Sequence, residues 1–110
     1  MKSLGFIEVS GVVAVTSALD VMTKSADVEF VTWERKLGGR LVTIIVEGQV
    51  SAVKAAVDAA VNGSILKVAA HAVIASPHSE TERMVRLSAS RITRLEKEKT
   101  QKSEQYIQEV

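Results

Sequence analysis

The sequence predicts an α+β sandwich with the element order β-α-β-β-α-β, followed by a short C-terminal helix and a charged helical extension. Three observations predict it. Two strand-helix units echo each other: Glu8-Val9-Ser10-Gly11 opens one helical pattern, and Glu47-Gly48-Gln49-Val50-Ser51 opens another. Leu41 to Val46 is a continuous aliphatic and β-branched run, the composition of a buried central strand. The Gly38-Gly39 pair before it permits a tight turn, so this strand and the one preceding it read as a hairpin. Right-handed crossovers then give a split βαβ, ferredoxin-like arrangement. Both long helices fall on one face of the sheet, and the other face is left partly open.

Each element has its own signal. Lys2 to Ser10 alternates as a strand, with Leu4 and Phe6 on one side and Gly5, Ile7 and Val9 on the other. Ser10 is the expected N-cap of a helix over Val12 to Ala26, where Val15, Ala18, Leu19 and Met22 keep helical spacing. Asp20 and Lys24 are an i,i+4 pair on its surface, and Asp27 ends it. Val28 to Arg35 reads as the second strand, with Phe30 on one side and Val31 and Trp33 on the other. After the third strand, Ser51 is the expected cap of a helix over Ala52 to Val61. Val53, Ala56, Val57 and Ala60 form its buried stripe, Lys54 pairs with Asp58, and Asn62-Gly63 is its stop. Lys67 to Ala75 is the fourth strand, ended by Pro77. Ser79-Glu80-Thr81-Glu82 has the spacing of a capping box.

The last segment differs in composition. Ser88 to Val110 is rich in Arg, Lys, Glu, Gln, Ser and Thr and has neither Gly nor Pro. Met84, Leu87, Arg91 and Leu95 are spaced as one helix stripe with Ile92 beside it, and helix is expected to about residue 98. The chain therefore divides into a domain over 1–87 and a helical extension over 88–110. The extension has two readings: an amphipathic docking face or a solvated rod.

Composition narrows the function. There are 110 residues, 14 Lys plus Arg against 13 Asp plus Glu, and a net charge of +1. Such a balance creates no field that draws nucleic acid or a membrane surface. Hydrophobic residues make up 46 % and aromatics only 4 %, so the core is aliphatic. The absence of cysteine excludes disulfides and thiolate metal sites. No apolar stretch approaches the ~20 residues of a membrane helix, and the start lacks a signal-peptide layout, so a soluble cytoplasmic protein is expected. No metal or organic cofactor is expected. His71 and His78 have no Ser or Asp spaced as triad partners, and no phosphate-binding or dinucleotide loop is present, so no enzyme is expected. Phe6, Phe30 and Trp33 do not form the stacking motif of an RNA-binding sheet. A small domain with an open sheet face buries little surface alone, so an oligomer is expected.

The residues also resemble a known family. Leu4-Gly5-Phe6-Ile7-Glu8 is similar to the opening strand of the bacterial microcompartment (BMC) shell-protein domain. Ala18 to Val28 resembles that family's Ala-x-Asp-x-Met-x-Lys-x-Ala-Asn-Val pattern. Leu41 to Gly48 with Val50, Ala52, Val53 and Ala55-Ala56 resembles its third strand and second helix. His71 and Val73-Ile74 resemble its last strand, and Pro77-His78 the Pro-His just after that strand. The resemblance covers residues 2 to about 87.

The resemblance implies cyclic hexamers that tile into a shell in the bacterial cytoplasm, enclose metabolic enzymes and pass small metabolites through a pore on the six-fold axis. It places Lys36, Leu37, Gly38, Gly39 and Arg40 at that pore, where the family commonly has Gly-Ser-Gly and this chain has Gly38-Gly39-Arg40. Lys36 and Arg40, repeated six-fold, would favour small polar or anionic metabolites. It places Lys24, Asp27, Ser76, Pro77 and His78 at the hexamer edge. Ser76 stands where the family often has arginine and Asp27 where it often has asparagine, and Asp27 is expected to neutralise Lys24 within one subunit. The implied partners are further copies, other shell proteins, small metabolites in transit, and encapsulated enzymes reached through the extension. The rival from another class is an oligomeric metabolite-sensing regulatory domain on the same fold.

Overall fold

A computed structural model describes residues 2–35, 40–64 and 67–109. The elements run β1 (Ser3–Ser10), α1 (Val12–Ser25), β2 (Glu29–Arg35), β3 (Leu41–Gly48), α2 (Val50–Gly63), β4 (Ala70–Ile74) and α3 (Ser79–Glu109). The four strands form one antiparallel sheet in the order β2-β3-β1-β4, the expected ferredoxin-like order.

β1 sits at the centre because both its faces are apolar. Ile7 and Val9 join Ile44 and Val46 of β3 against Ala14, Ala18 and Met22 of α1 and Val53, Ala56, Val57 and Ala60 of α2. The α2 stripe is the one its spacing predicts. Small residues here let the helices lie close to the sheet. A Cβ built on Gly5 would come within 2.8 Å of Val53 and 3.0 Å of Val57.

The opposite face, expected to be partly open, is crossed by α3. Leu4, Ile45 and Val85 are buried together there, with Phe6 and Val31 beside them. The short helix and its extension are one element of 31 residues, about 46 Å long at 1.5 Å per residue. It passes position 88 without a break, and Ser88 is buried.

Several local expectations need correction. α1 and α2 are preceded by Gly11 and Gln49, without side-chain capping bonds, and not by Ser10 or Ser51. Gly11 has φ +96°, which lets the chain turn from β1 into α1 where an L side chain would be strained. α2 closes with Ser64, whose amide and hydroxyl both donate to the Ala60 carbonyl. Lys54 and Asp58 are not among the ion pairs of the described residues, whereas Lys24 and Asp20 are, at 2.9 Å. β4 is shorter than expected. A β-bulge between Phe30 and Thr32 advances β2 by one residue, so Phe30 and Trp33 share the α1 face, while Val31 and Thr32 turn to the α3 face. The cap of α3 moves from Ser79 to His78: the Glu82 amide donates to the His78 carbonyl at 3.0 Å, and the Glu80 amide to His78 Nδ1 at 3.1 Å. That second bond requires the neutral imidazole's lone pair on Nδ1.

The α3 stripe is also corrected. Val85 and Ser88 face the sheet, with Thr81 and Ile92 half-buried on the same side. Met84, Leu87 and Leu95 of the expected stripe are 66 %, 46 % and 51 % exposed.

Candidate pore and edge sites

Arg40 and the expected edge residues stand at opposite ends of the sheet. β1 carries Ser10 opposite Leu41 at one end and Ser3 opposite Gly48 at the other. The hairpin joining β2 to β3 leaves the first end, between Arg35 and Arg40. Lys36, Leu37, Gly38 and Gly39 lie outside the described residues. Arg40 is exposed, and its carbonyl accepts from the Gly11 amide at 2.9 Å, which ties the base of the hairpin to the start of α1.

The second end gathers the expected edge residues. α1 ends here, with the Ala26 amide bonded to the Met22 carbonyl, and Asp27 packs its backbone against Gly48. Leu4 pairs with Ile74, and the Ser3 hydroxyl donates to the Ala75 carbonyl at 2.8 Å, so the chain leaves β4 at the same end. Ser76 and His78 are exposed here and Pro77 is buried. An eight-residue strand separates the two ends by about 24 Å.

Lys24 does not pair with Asp27 as expected. The helix stops at Ser25, and Ala26 is extended (φ −155°, ψ 161°), so the chain leaves the helical path before Asp27. Asp20, one turn back on the same face, takes the ammonium instead. Both side chains are largely exposed, so the pair contributes little to stability and leaves Lys24 able to exchange partners.

Two features escape a reading of the sequence alone. The first is a cavity of about 260 Å³ between α1 and edge strand β2, lined by Val12, Val15, Leu19, Phe30, Trp33 and Ile44, among others. Phe30 is 42 % and Trp33 37 % exposed beside it. Only the bulge brings these two aromatics together, and alternation alone cannot reveal it. The second is a polar cluster at the edge end. Glu47 is buried, accepts from Arg86 of α3 and lies 4.0 Å from Lys2. Its signal was the Glu47-Gly48 end of β3, where a carboxylate among apolar neighbours demands a cation.

Among the described residues the two histidines lie apart from the hydroxyl pair Thr32–Ser88. His71 is exposed on β4 and His78 caps α3, and the hydroxyl pair Thr32–Ser88 has Glu34 but no histidine beside it. Among the described residues no group of three His, Cys, Asp or Glu is placed to hold a metal ion. Among them, too, no helix is long and apolar enough to cross a membrane.

The fold, with a hairpin at one end of its sheet and a lysine-bearing rim at the other, is that of a BMC domain, and the BMC domain family model matches residues 3–77. The chain belongs to this family. The bacterial microcompartment shell protein PduA of Citrobacter freundii is 44 % identical over 86 residues, covering 76 % of this chain and 91 % of that one. The carboxysome shell protein CsoS1C of Hydrogenovibrio crunogenus is 44 % identical over 93 residues (80 % and 88 %), and the shell protein EutM of Salmonella typhimurium 39 % over 90 residues (80 % and 93 %). A crystal structure of a microcompartment protein from Desulfitobacterium hafniense superposes with a TM-score of 0.65 at 28 % identity over 76 % of this chain. The chain spans about half the length of that solved one, 48 %.

Proposed function

We propose that this chain is a structural wall component of a bacterial microcompartment and works as a ring of six copies around a pore. The observation that carries the reading is the polarity of the sheet: β2 ends and β3 begins at one end, and Lys24, Pro77 and His78 gather at the other. A wedge built in this way puts its hairpin at a hub and its rim where rings meet. A head-to-tail contact that closes by rotation leaves no free edge. The apolar surface for that contact is supplied by Phe30, Trp33 and Val12 beside edge strand β2.

At the hub, Lys36 and Arg40 repeat six-fold in a narrow ring and favour small polar or anionic metabolites over cations. Gly38-Gly39 lets six backbones approach closely. The chain performs no chemistry on what passes. At the rim, Lys24 lays its stem against a neighbouring ring and exchanges Asp20 for carbonyls across the seam. The other partners are different shell proteins at that seam, and enzymes of the interior docked on α3, whose exposed Met84, Leu87 and Leu95 favour the docking reading of the extension. The wall body over 1–87 and the extension over 88–110 thus share one helix, and the docking face begins on its first turns at Met84.

Flux measurement tests the pore. Assemblies carrying Lys36→Ala and Arg40→Ala are expected to lose their preference for anionic over cationic solutes, and an unchanged preference overturns the pore assignment. Mass measurement tests the ring itself. A species of about 70 kDa, six chains of 11.9 kDa, supports it, and a dimer or trimer that responds to a small ligand supports a regulatory domain instead.

A further inference from the structure

α3 crosses the sheet obliquely. It begins at Ser79, just past the rim end of β4, and lies over Leu4 of β1 and Ile45 of β3 at Val85. At Ser88 it reaches Thr32 and Glu34 of edge strand β2. With the strand order β2-β3-β1-β4, this path leads away from β4 and out over the β2 edge. Ile92 is half-buried, and residues 93–104 are exposed throughout. From Ile92 to Glu109 the helix is about 26 Å long at 1.5 Å per residue, more than the ~14 Å that separates the outer strands of a four-stranded sheet. Lys97, Lys99 and Lys102 on this stretch make no ion pair among the described residues. The strip of sheet that α3 leaves uncovered lies at the opposite edge. Ala70 and Ala72 of β4 are exposed, and they pair with Glu8 and Phe6 of β1, so all four share the α3 face. Glu8 is half-buried there, with the Thr43 hydroxyl at 3.4 Å and no ion pair among the described residues. A half-buried carboxylate with one long hydrogen bond calls for a cation.

We propose that the part of α3 beyond Ile92 lies across the next copy of this chain, on the strip formed by Ala70, Ala72 and Glu8, with its lysines facing Glu8. The inference rests on the ring of six proposed for this chain and names what ties one copy to the next. Within one chain a straight helix carries these lysines away from β4, so the strip is out of their reach. A head-to-tail ring sets the β2 edge of one copy beside the β4 edge of the next. The helix that overruns the first edge then covers what is left open at the second. The alanines let a helix come close to the sheet, and the charge on Glu8 fixes where along the helix the contact falls. Phe30 and Trp33 lie on the opposite face of β2, so the same seam is gripped from both sides of the sheet. Each copy extends one arm and receives one, and the arms close with the ring.

The chain has no cysteine, so a single introduced thiol carries a photo-crosslinker without competition. Gln101→Cys and Ser103→Cys, at exposed positions about 200° apart around the helix, are labelled separately in the full chain with a benzophenone maleimide. Between them they cover both sides of the helix and leave its lysines in place. Each is assembled together with isotope-labelled native chain, the mass of the assembly is measured, and the sample is irradiated and digested. At least one position is expected to capture a peptide from β4 or β1 of an isotope-labelled chain. A six-copy assembly in which both positions capture only their own chain, or nothing, overturns the proposal and leaves the ring standing. A chain that forms no ring overturns both. Glu8→Lys sets like charges against each other and is expected to lower the captured fraction about three-fold or more, with the mass of the assembly unchanged. An undiminished fraction in that variant overturns the placement of the lysines on Glu8.

Discussion

The Gly11 amide donates to the Arg40 carbonyl at 2.9 Å, joining the first turn into α1 to the base of the β2–β3 hairpin. The bond depends on a backbone angle, φ +96°, that disfavours side chains, although nothing lies within 4 Å of where a Cβ would stand. Gly11→Ala therefore meets no clash, only strain. We expect it to cost about 1–3 kcal/mol and to lower the melting temperature by several degrees. Thermal denaturation checks this. An unchanged melting temperature would show that the turn tolerates a β-carbon.

Gly5 makes the opposite prediction. Its φ is ordinary, but an added methyl meets Val53, Val57 and Val46 at 2.8, 3.0 and 3.2 Å in the closed interior. Gly5→Ala is expected to destabilise by about 1–3 kcal/mol through overpacking. Val53→Ala in the same chain makes room, so the double variant should be more stable than the sum of the two single losses predicts. Denaturant midpoints for the four chains of the cycle decide it.

Within one chain, His78 is expected to act as a helix cap. His78→Ala removes the acceptor of the Glu80 amide and should cost on the order of 1 kcal/mol, seen as a lower melting temperature. His78→Asp supplies a good capping acceptor and is expected to recover most of the loss. If the aspartate variant is as unstable as the alanine variant, the ring of His78 matters by its packing.

Trp33, the single tryptophan, reports on assembly. If its exposed surface beside Phe30 is the contact between copies, its fluorescence shifts to the blue as rings form. Trp33→Asp should leave protein near 11.9 kDa by analytical ultracentrifugation at concentrations where the native chain, on the proposed ring, sediments as six copies. Rings that persist in that variant would move the interface elsewhere.

Much of the architecture was legible because period and position agree. All four residues of the α2 stripe and the apolar alternation of β1 lie where spacing puts them. The Asp20–Lys24 pair was legible for the same reason, being set within one helix. What was not legible is decided across the chain. Ser10 and Ser51 are good capping residues in isolation, but α1 starts where a hairpin carbonyl meets Gly11, and α2 starts at Val50. The face that α3 turns to the sheet is set by contacts far apart in the chain, Ser88 with Thr32, 56 positions away, and Val85 with Leu4 and Ile45. Asp27 was misassigned because its distance from Lys24 fits a helix that has already ended. Gly38-Gly39, expected at the pore, lie outside the described residues.

One inserted residue, Val31, determines which side of the edge strand carries the aromatic rings. Deleting Val31 would remove the bulge and keep the register, with Thr32 opposite Ile45 and Trp33 opposite Ile44, so Phe30 and Trp33 would stay together as a greasy flank. Straightening the strand with Val31 kept would do the reverse, sending Trp33 to the face where Thr32 now meets Ser88 and leaving a hydroxyl beside Phe30.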